Sequence, residues 1–365
     1  MTDPLISLVM AVYNGDRYLK PTIDSILSQT FADFEFIVVN DGSTDGSQDV
    51  VEGYRDDRIV FINNEENIGQ TASLNVGLRT ARGAYLARTD AGDISAPERF
   101  RKQIRFLEAN PQVDILGTAA YQYDEAGAFC GNVFLPNKPS VILQRIFFAC
   151  PIVHVSVMAR RERILALGGY DESYRVLADY ALWARALRSG YRFRNLDEIL
   201  TGYLVTPGSF GSSHGRGRSV QEATRIIVEL ASFLAETGLP PEQAEGVYRL
   251  FVFGPRDLGR QKADEAGEVF RRLLQKMGIP RRDIEYLLLR NYLKMLVREG
   301  GGDCQPGRET PSMLRGMLSH ARGLFSVRIF EDACERFRIT RSRSVEESGM
   351  KTPVFLAGTA GGAQC

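Results

Sequence analysis

Cysteine and histidine are scarce in this 365-residue chain, with five of the first and three of the second. Cys130, Cys150, Cys304, Cys334 and Cys365 are scattered, odd in number and form no C-x-x-C pair. That argues against a disulfide framework and suits a reducing compartment. His154, His214 and His320 lack the spacing of a structural zinc site. Long apolar runs are missing too, since stretches such as 5–13 fall far short of the ~20 residues that cross a bilayer. Net charge is absent: 45 basic side chains balance 45 acidic ones, so nothing general attracts nucleic acid. The leading MTDPLISLVM has no basic segment before its apolar run, so a signal peptide is not expected. These absences together predict a cytoplasmic protein with no nucleic-acid partner.

What remains is ordinary globular composition, 44% hydrophobic and 25% charged, over a length that suggests two domains. The first third alternates strand and helix signals. Apolar runs over 5–12, 34–39, 58–62, 84–88 and 113–119 read as buried strands. Between them Leu19, Ile23, Ile26 and Leu27 recur at helical spacing, and shorter helices are predicted over 48–54 and 70–80. Ser95 with Glu98 reads as a capping box opening a helix that carries Phe100, Ile104 and Leu107. Such alternation predicts an α/β fold, Rossmann-like, with a mainly parallel sheet and helices on both faces. The polar clusters at Tyr13-Asn14, Asn40-Asp41 and Asp90 to Asp93 fall at strand ends, where such sheets bind ligands. Beyond these, a helix is expected over 140–148, a strand over 152–158, a helix over 178–189 and strands over 191–195 and 200–205. A Gly/Ser-rich loop over 207–217 leads into a helical C-terminal region.

The ordered blocks in this first part resemble glycosyltransferase family 2. They are Val12-Tyr13-Asn14, the SQTF at 28–31, IVVNDGSTD at 37–45, Asn67-Ile68-Gly69, TDAGDISAPERF at 89–100, Pro151 to His154, GGYDE at 168–172 and Asp179 to Trp183. The resemblance covers about residues 4–205. It implies a GT-A fold and an inverting, hexosyl-type transferase that uses a nucleotide-sugar donor, commonly a UDP-sugar. The acceptor would be a sugar or a lipid-linked molecule in polysaccharide or glycolipid assembly. By position, Ala11, Tyr13 and Asp41 match the nucleoside-binding residues, with Asn14, Gly69 and Asp90 beside them. Tyr13 can offer an aromatic wall to the base and Asp41 can accept its N–H.

The resemblance also implies a divalent cation, Mn²⁺ or Mg²⁺, neutralising the diphosphate as it leaves. Asp90 and Asp93 are the candidate ligands, but Gly92 stands where the second carboxylate of the family's D-x-D would be. Inversion needs a base for the acceptor hydroxyl. The family's Glu-Asp pair here reads Ala178-Asp179, which makes Asp179 the candidate catalytic base. His154 is expected to pack near the acceptor side. His214 is a candidate donor contact in the Gly-rich loop, since the aligned histidine position holds Thr206.

The expected domains are a catalytic domain over 1–217, a helical region over 218–340 and a disordered tail over 341–365. Residues 315–343 carry seven arginines against Glu331, Asp332 and Glu335, with apolar side chains between them. They could lie on an anionic membrane surface, a peripheral contact suited to a lipid-linked acceptor. An ordinary packed helix with solvated arginines is the competing reading. The competing function is a catalytically weakened GT-A protein that binds a nucleotide sugar or a partner, suggested by Gly92, Ala178 and Thr206. A dinucleotide-dependent oxidoreductase is rejected, because no G-x-G-x-x-G follows the first strand.

Overall fold

A computed structural model describes residues 3–206, 213–253 and 255–280. The part of the expected helical region 218–340 beyond residue 280, the expected tail 341–365 and the arginine-rich stretch 315–343 lie outside the described residues. The described chain divides into two units, one formed by residues up to 146 and 150–219, the other by 147–149 and the residues from 220 onward.

The first unit begins with β1 (Ile6–Val12), α1 (Asp16–Leu27), β2 (Phe34–Asn40), α2 (Ser47–Glu52), β3 (Ile59–Asn63), α3 (Gln70–Thr80) and β4 (Tyr85–Arg88). Every residue of β1, β2 and β4 is buried, which is why their sequences are mainly apolar rather than alternating, with Ser7, Glu35, Asn40 and Arg88 as the buried polar exceptions. It continues with β5 (Ile94–Ser95), α4 (Arg99–Ala109), β6 (Ile115–Tyr123), β7 (Phe129–Val133), α5 (Pro139–Arg145) and a 3₁₀ turn (His154–Ser156). Then come β8 (Met158–Arg160), α6 (Arg161–Ala166), α7 (Ala178–Arg188) and β9 (Phe193–Leu204).

The strands form one sheet in the order β3-β2-β1-β4-β8-β6-β9-β5, with β7 on β6. β1 pairs in parallel with β2 and β4, and β2 with β3. The far half is mixed, less parallel than the alternation alone suggests. β8 enters from the opposite end and is antiparallel to both β4 and β6, while β9 is parallel to β6 and antiparallel to β5. The two strands expected over 191–205 are one strand, bent where its register against β6 shifts near Thr118 to Ala120. The strand expected over 152–158 is instead the 3₁₀ turn followed by β8.

The capping box is also placed differently. Ser95 lies in β5 opposite Thr201, and α4 starts at Arg99 with no side-chain cap at Glu98. The Gln29 Oε1 atom accepts the Phe100 N–H instead, at 3.1 Å, so a side chain beyond α1 satisfies an orphan amide of α4. Arg99 is fully buried and donates to Ser95 Oγ, Gln103 Oε1 and the Arg88 carbonyl. It ties α4 to the strand that ends in the site.

The second unit is helical among the described residues. α8 (Ser213–Leu234) crosses the boundary, followed by α9 (Pro241–Val252), α10 (Pro255–Leu258) and α11 (Arg260–Lys276). Phe148 stacks on Phe251 at 4.4 Å between centroids and meets Phe270 edge-on at 5.6 Å.

Candidate active site

The site begins where the strand order reverses. β2 lies on one side of β1 and β4 on the other, so the loops after β1 and β4 part and leave a crevice at their carboxyl ends. A cleft of about 390 Å³ occupies it, lined among others by Ala11, Tyr13, Asn14, Asp41, Gln70 and Asp90. Five of the residues singled out in the sequence are thus brought together from three strand ends. Tyr13 is half-exposed, at 50%, which leaves its ring available to a flat ligand.

Asn14 is an exposed residue of the crevice lining. Its backbone is left-handed, at φ 51°, a conformation that asparagine tolerates better than most residues. Its N–H donates to Ser43 Oγ at 2.9 Å and its Oδ1 accepts the Thr44 N–H at 2.8 Å. The turn after β1 is thereby fastened to the loop after β2.

Asp41 is buried and accepts four hydrogen bonds. Asn64 Nδ2, the Ile68 N–H and Ser73 Oγ donate to Oδ1, and the Gly69 N–H donates to Oδ2 at 2.9 Å. Gly69 therefore acts through its amide on Asp41 and does not itself line the cleft. The loop over 64–69 folds so tightly onto the strand end that a Cβ on Gly42 would sit 2.6 Å from the Glu66 carbonyl carbon. Asp41 shapes one wall of the crevice as well as facing it.

Asp90 and Asp93, both expected to face a cation, point in different directions. Asp90 lines the cleft, and its Oδ1 accepts from Arg88 Nη2 at 2.7 Å and Gln70 Nε2 at 3.2 Å. Asp93 is 4% exposed, and its Oδ2 accepts the Asp90 N–H at 2.8 Å. Burial, and then the neighbouring Asp90 charge, push the Asp93 carboxyl well above the ordinary range. Burial pulls the Arg88 guanidinium down, but the charge and hydrogen bond of Asp90 outweigh it and hold Arg88 protonated. Arg88 is not among the residues expected from the sequence, where its signal is a lone charge at the end of a buried strand.

Asp179 stands apart from the cleft, in the first turn of α7. Its Oδ1 accepts the Tyr180 N–H at 2.7 Å and its Oδ2 accepts the Cys150 thiol at 3.2 Å. Burial raises its pKa, against the lowering pull of the Cys150 hydrogen bond. A carboxylate made more basic in this way is a better proton acceptor. His154 bonds through Nε2 to the Tyr170 hydroxyl at 2.8 Å and meets Trp183 edge-on at 6.3 Å. Burial, and secondarily Arg88, hold its pKa well below the usual value, so the ring is neutral. The reading of His214 as a donor contact falls outside the described side chains.

With this geometry in place, the comparisons define the class. The model of "Glycosyl transferase family 2" matches residues 7–165. The chain is 37% identical over 214 residues to "Uncharacterized glycosyltransferase MJ1057" of Methanocaldococcus jannaschii, covering 56% of this chain and 72% of that protein. It is 30% identical over 235 residues to "O-antigen biosynthesis glycosyltransferase WbnJ" of Escherichia coli, covering 63% of this chain and 87% of the other. Among solved structures it is similar to S. aureus TarS 1-349 in complex with UDP-GlcNAc. That likeness has a TM-score of 0.54 and 17% identity, over 80% of this chain and 86% of that one. The mannosyltransferase PcManGT of Pyrobaculum calidifontis, solved with GDP-Man and Mn²⁺, matches at TM-score 0.51 and 17% identity, over 94% and 89%.

The chain belongs to glycosyl transferase family 2. It is a glycosyltransferase of GT-A fold. No helix among the described residues is long and apolar enough to cross a membrane.

Proposed function

We propose that the chain transfers a sugar, with inversion, from a UDP-sugar bound in the cleft to a hydroxyl acceptor deprotonated by Asp179. The observation that carries this reading is the convergence of Ala11, Tyr13, Asn14, Asp41 and Asp90 on one crevice at the strand-order reversal. The base would lie against Tyr13, with Ala11 leaving room beside it and Asp41 within reach of a ring N–H. The acceptor oxygen attacks the anomeric carbon as the bond from that carbon to the phosphate oxygen breaks. The electron pair leaves on the diphosphate and the hydroxyl proton passes to Asp179. One displacement of this kind inverts the configuration.

The relative named for O-antigen biosynthesis supports an acceptor in surface polysaccharide assembly, as a growing glycan or a lipid-linked sugar. A peripheral membrane contact through the arginine-rich stretch 315–343 is part of the same proposal. The experiment is a screen of UDP-sugars for release of UDP by the wild-type chain and by Asp179→Asn. Turnover by the wild type with loss of roughly a hundredfold or more in the variant supports the reading, since a positioned base contributes about 10²–10⁴-fold. Wild-type turnover in the variant would remove Asp179 from the role. UDP binding without turnover of any donor would favour the weakened binding protein, the reading that Gly92 and Ala178 motivate.

A further inference from the structure

The resemblance calls for a divalent cation at the Asp90–Asp93 turn, and the donor set there does not fit one. Gly92 stands at φ +98°, and a Cβ on it would lie 2.9 Å from Leu204 Cδ2. The position is closed to a side chain as well as lacking one. Asp93 is turned inward onto the Asp90 amide. Asp90 is left as the carboxylate facing the cleft at this turn, and Arg88 and Gln70 already hold its Oδ1. Among the described residues no three His, Cys, Asp or Glu side chains group as a ligand set. A hard cation wants about six oxygen ligands. One already neutralised carboxylate is a poor anchor for it.

We infer that the chain binds the diphosphate of its donor without a divalent cation, the Arg88 guanidinium supplying from within the protein the positive charge that a metal ion would otherwise bring to Asp90. Arg88 is 3% exposed, and besides Asp90 it meets the Tyr170 hydroxyl. Its charge is offset chiefly by the ion pair with Asp90, and removing Asp90 would strand a buried charge. Gln70, which lines the cleft beside Asp90, opens α3, an eleven-residue helix with no acidic residue of its own in its first turn. Asp41 takes the Ile68 and Gly69 amides just before this start, and the next peptide N–H groups of α3 are left to favour a phosphate. The inference rests on the nucleotide-sugar reading of the cleft and goes beyond it.

The test is calorimetric titration of the full chain with UDP, once with Mn²⁺ and once with EDTA. We expect the two Kd values to differ by less than about threefold. A loss of roughly tenfold or more in EDTA overturns the inference. Arg88→Met probes the mechanism: UDP binding should weaken in EDTA and recover with Mn²⁺, because the freed Asp90 carboxylate then attracts a cation. A folded Arg88→Met chain that ignores Mn²⁺ would overturn the role given to Arg88. If that variant fails to fold, the wild-type comparison still decides. Failure of UDP, GDP and dTDP alike to bind in both buffers would overturn the nucleotide reading, and the inference with it. That outcome is distinct from binding that needs a metal.

Discussion

The Cys150 thiol donates a hydrogen bond to Asp179 Oδ2 at 3.2 Å, while the Tyr180 N–H holds the other carboxylate oxygen at 2.7 Å. The thiol fixes the orientation of the carboxylate and is the largest influence lowering its pKa against burial. Burial and the Asp179 charge keep the Cys150 pKa well above its usual value, and the thiol stays protonated as a donor must.

Cys150→Ala removes one of the interactions that lower the Asp179 pKa. The folded pKa of Asp179 should therefore rise further, and the acidic limb of the pH–rate profile should move to higher pH. At neutral pH the rate should fall by no more than roughly tenfold, since the carboxylate itself remains. Donor turnover between pH 5 and pH 9 checks this, and Cys150→Ser should restore the limb towards that of the wild type. An unmoved limb would make Cys150 a packing residue only.

Asp41→Ala leaves the Ile68 and Gly69 amides, Asn64 and Ser73 without their acceptor. Each lost charge-assisted bond is worth on the order of 1.5–3 kcal/mol before relaxation, and rearrangement recovers part of that. We expect a net loss of about 2–4 kcal/mol in urea denaturation, together with loss of UDP binding.

Tyr13→Ala should separate binding from stability. Its ring is half-exposed, so unfolding should change by less than about 0.5 kcal/mol. The affinity for UDP should fall by about 1–3 kcal/mol, the usual worth of one aromatic–base stack. Denaturation and calorimetry on the same preparation compare the two quantities.

His154 gives the fold an acid weakness. Its folded pKa lies well below that of the unfolded chain, so the unfolded state binds the extra proton. The stability tied to the neutral ring is fully present above the ordinary histidine range and is lost as pH falls below it. The slope is at most about 1.4 kcal/mol per pH unit for one proton. Urea midpoints measured from pH 7.5 down to pH 5 should show this slope in the wild type, and His154→Gln should flatten it.

The near half of the sheet was legible because β1, β2 and β4 are buried throughout and therefore read as mainly apolar runs. The crevice was legible for a related reason, since Tyr13-Asn14, Asn40-Asp41 and Asp90 interrupt those runs at strand ends. The far half was harder. β7 is partly exposed and short, and β9 carries Asp197 and Glu198 in its middle, which made one bent strand look like two. Ser95 and Glu98 imitate a capping box, and nothing local reveals that Gln29 supplies the bond. The inward turn of Asp93 and the Cys150–Asp179 bond depend on segments far apart in the chain. Spacing alone could not show either.

Hydrogen–deuterium exchange with and without saturating UDP tests the location of the donor most directly. We expect new protection over 11–15, 64–70 and 90–92, the segments that line and brace the crevice, and none over 220–280. Protection confined to the helical unit, with those three segments unchanged, would contradict the assignment of this cleft to the nucleotide.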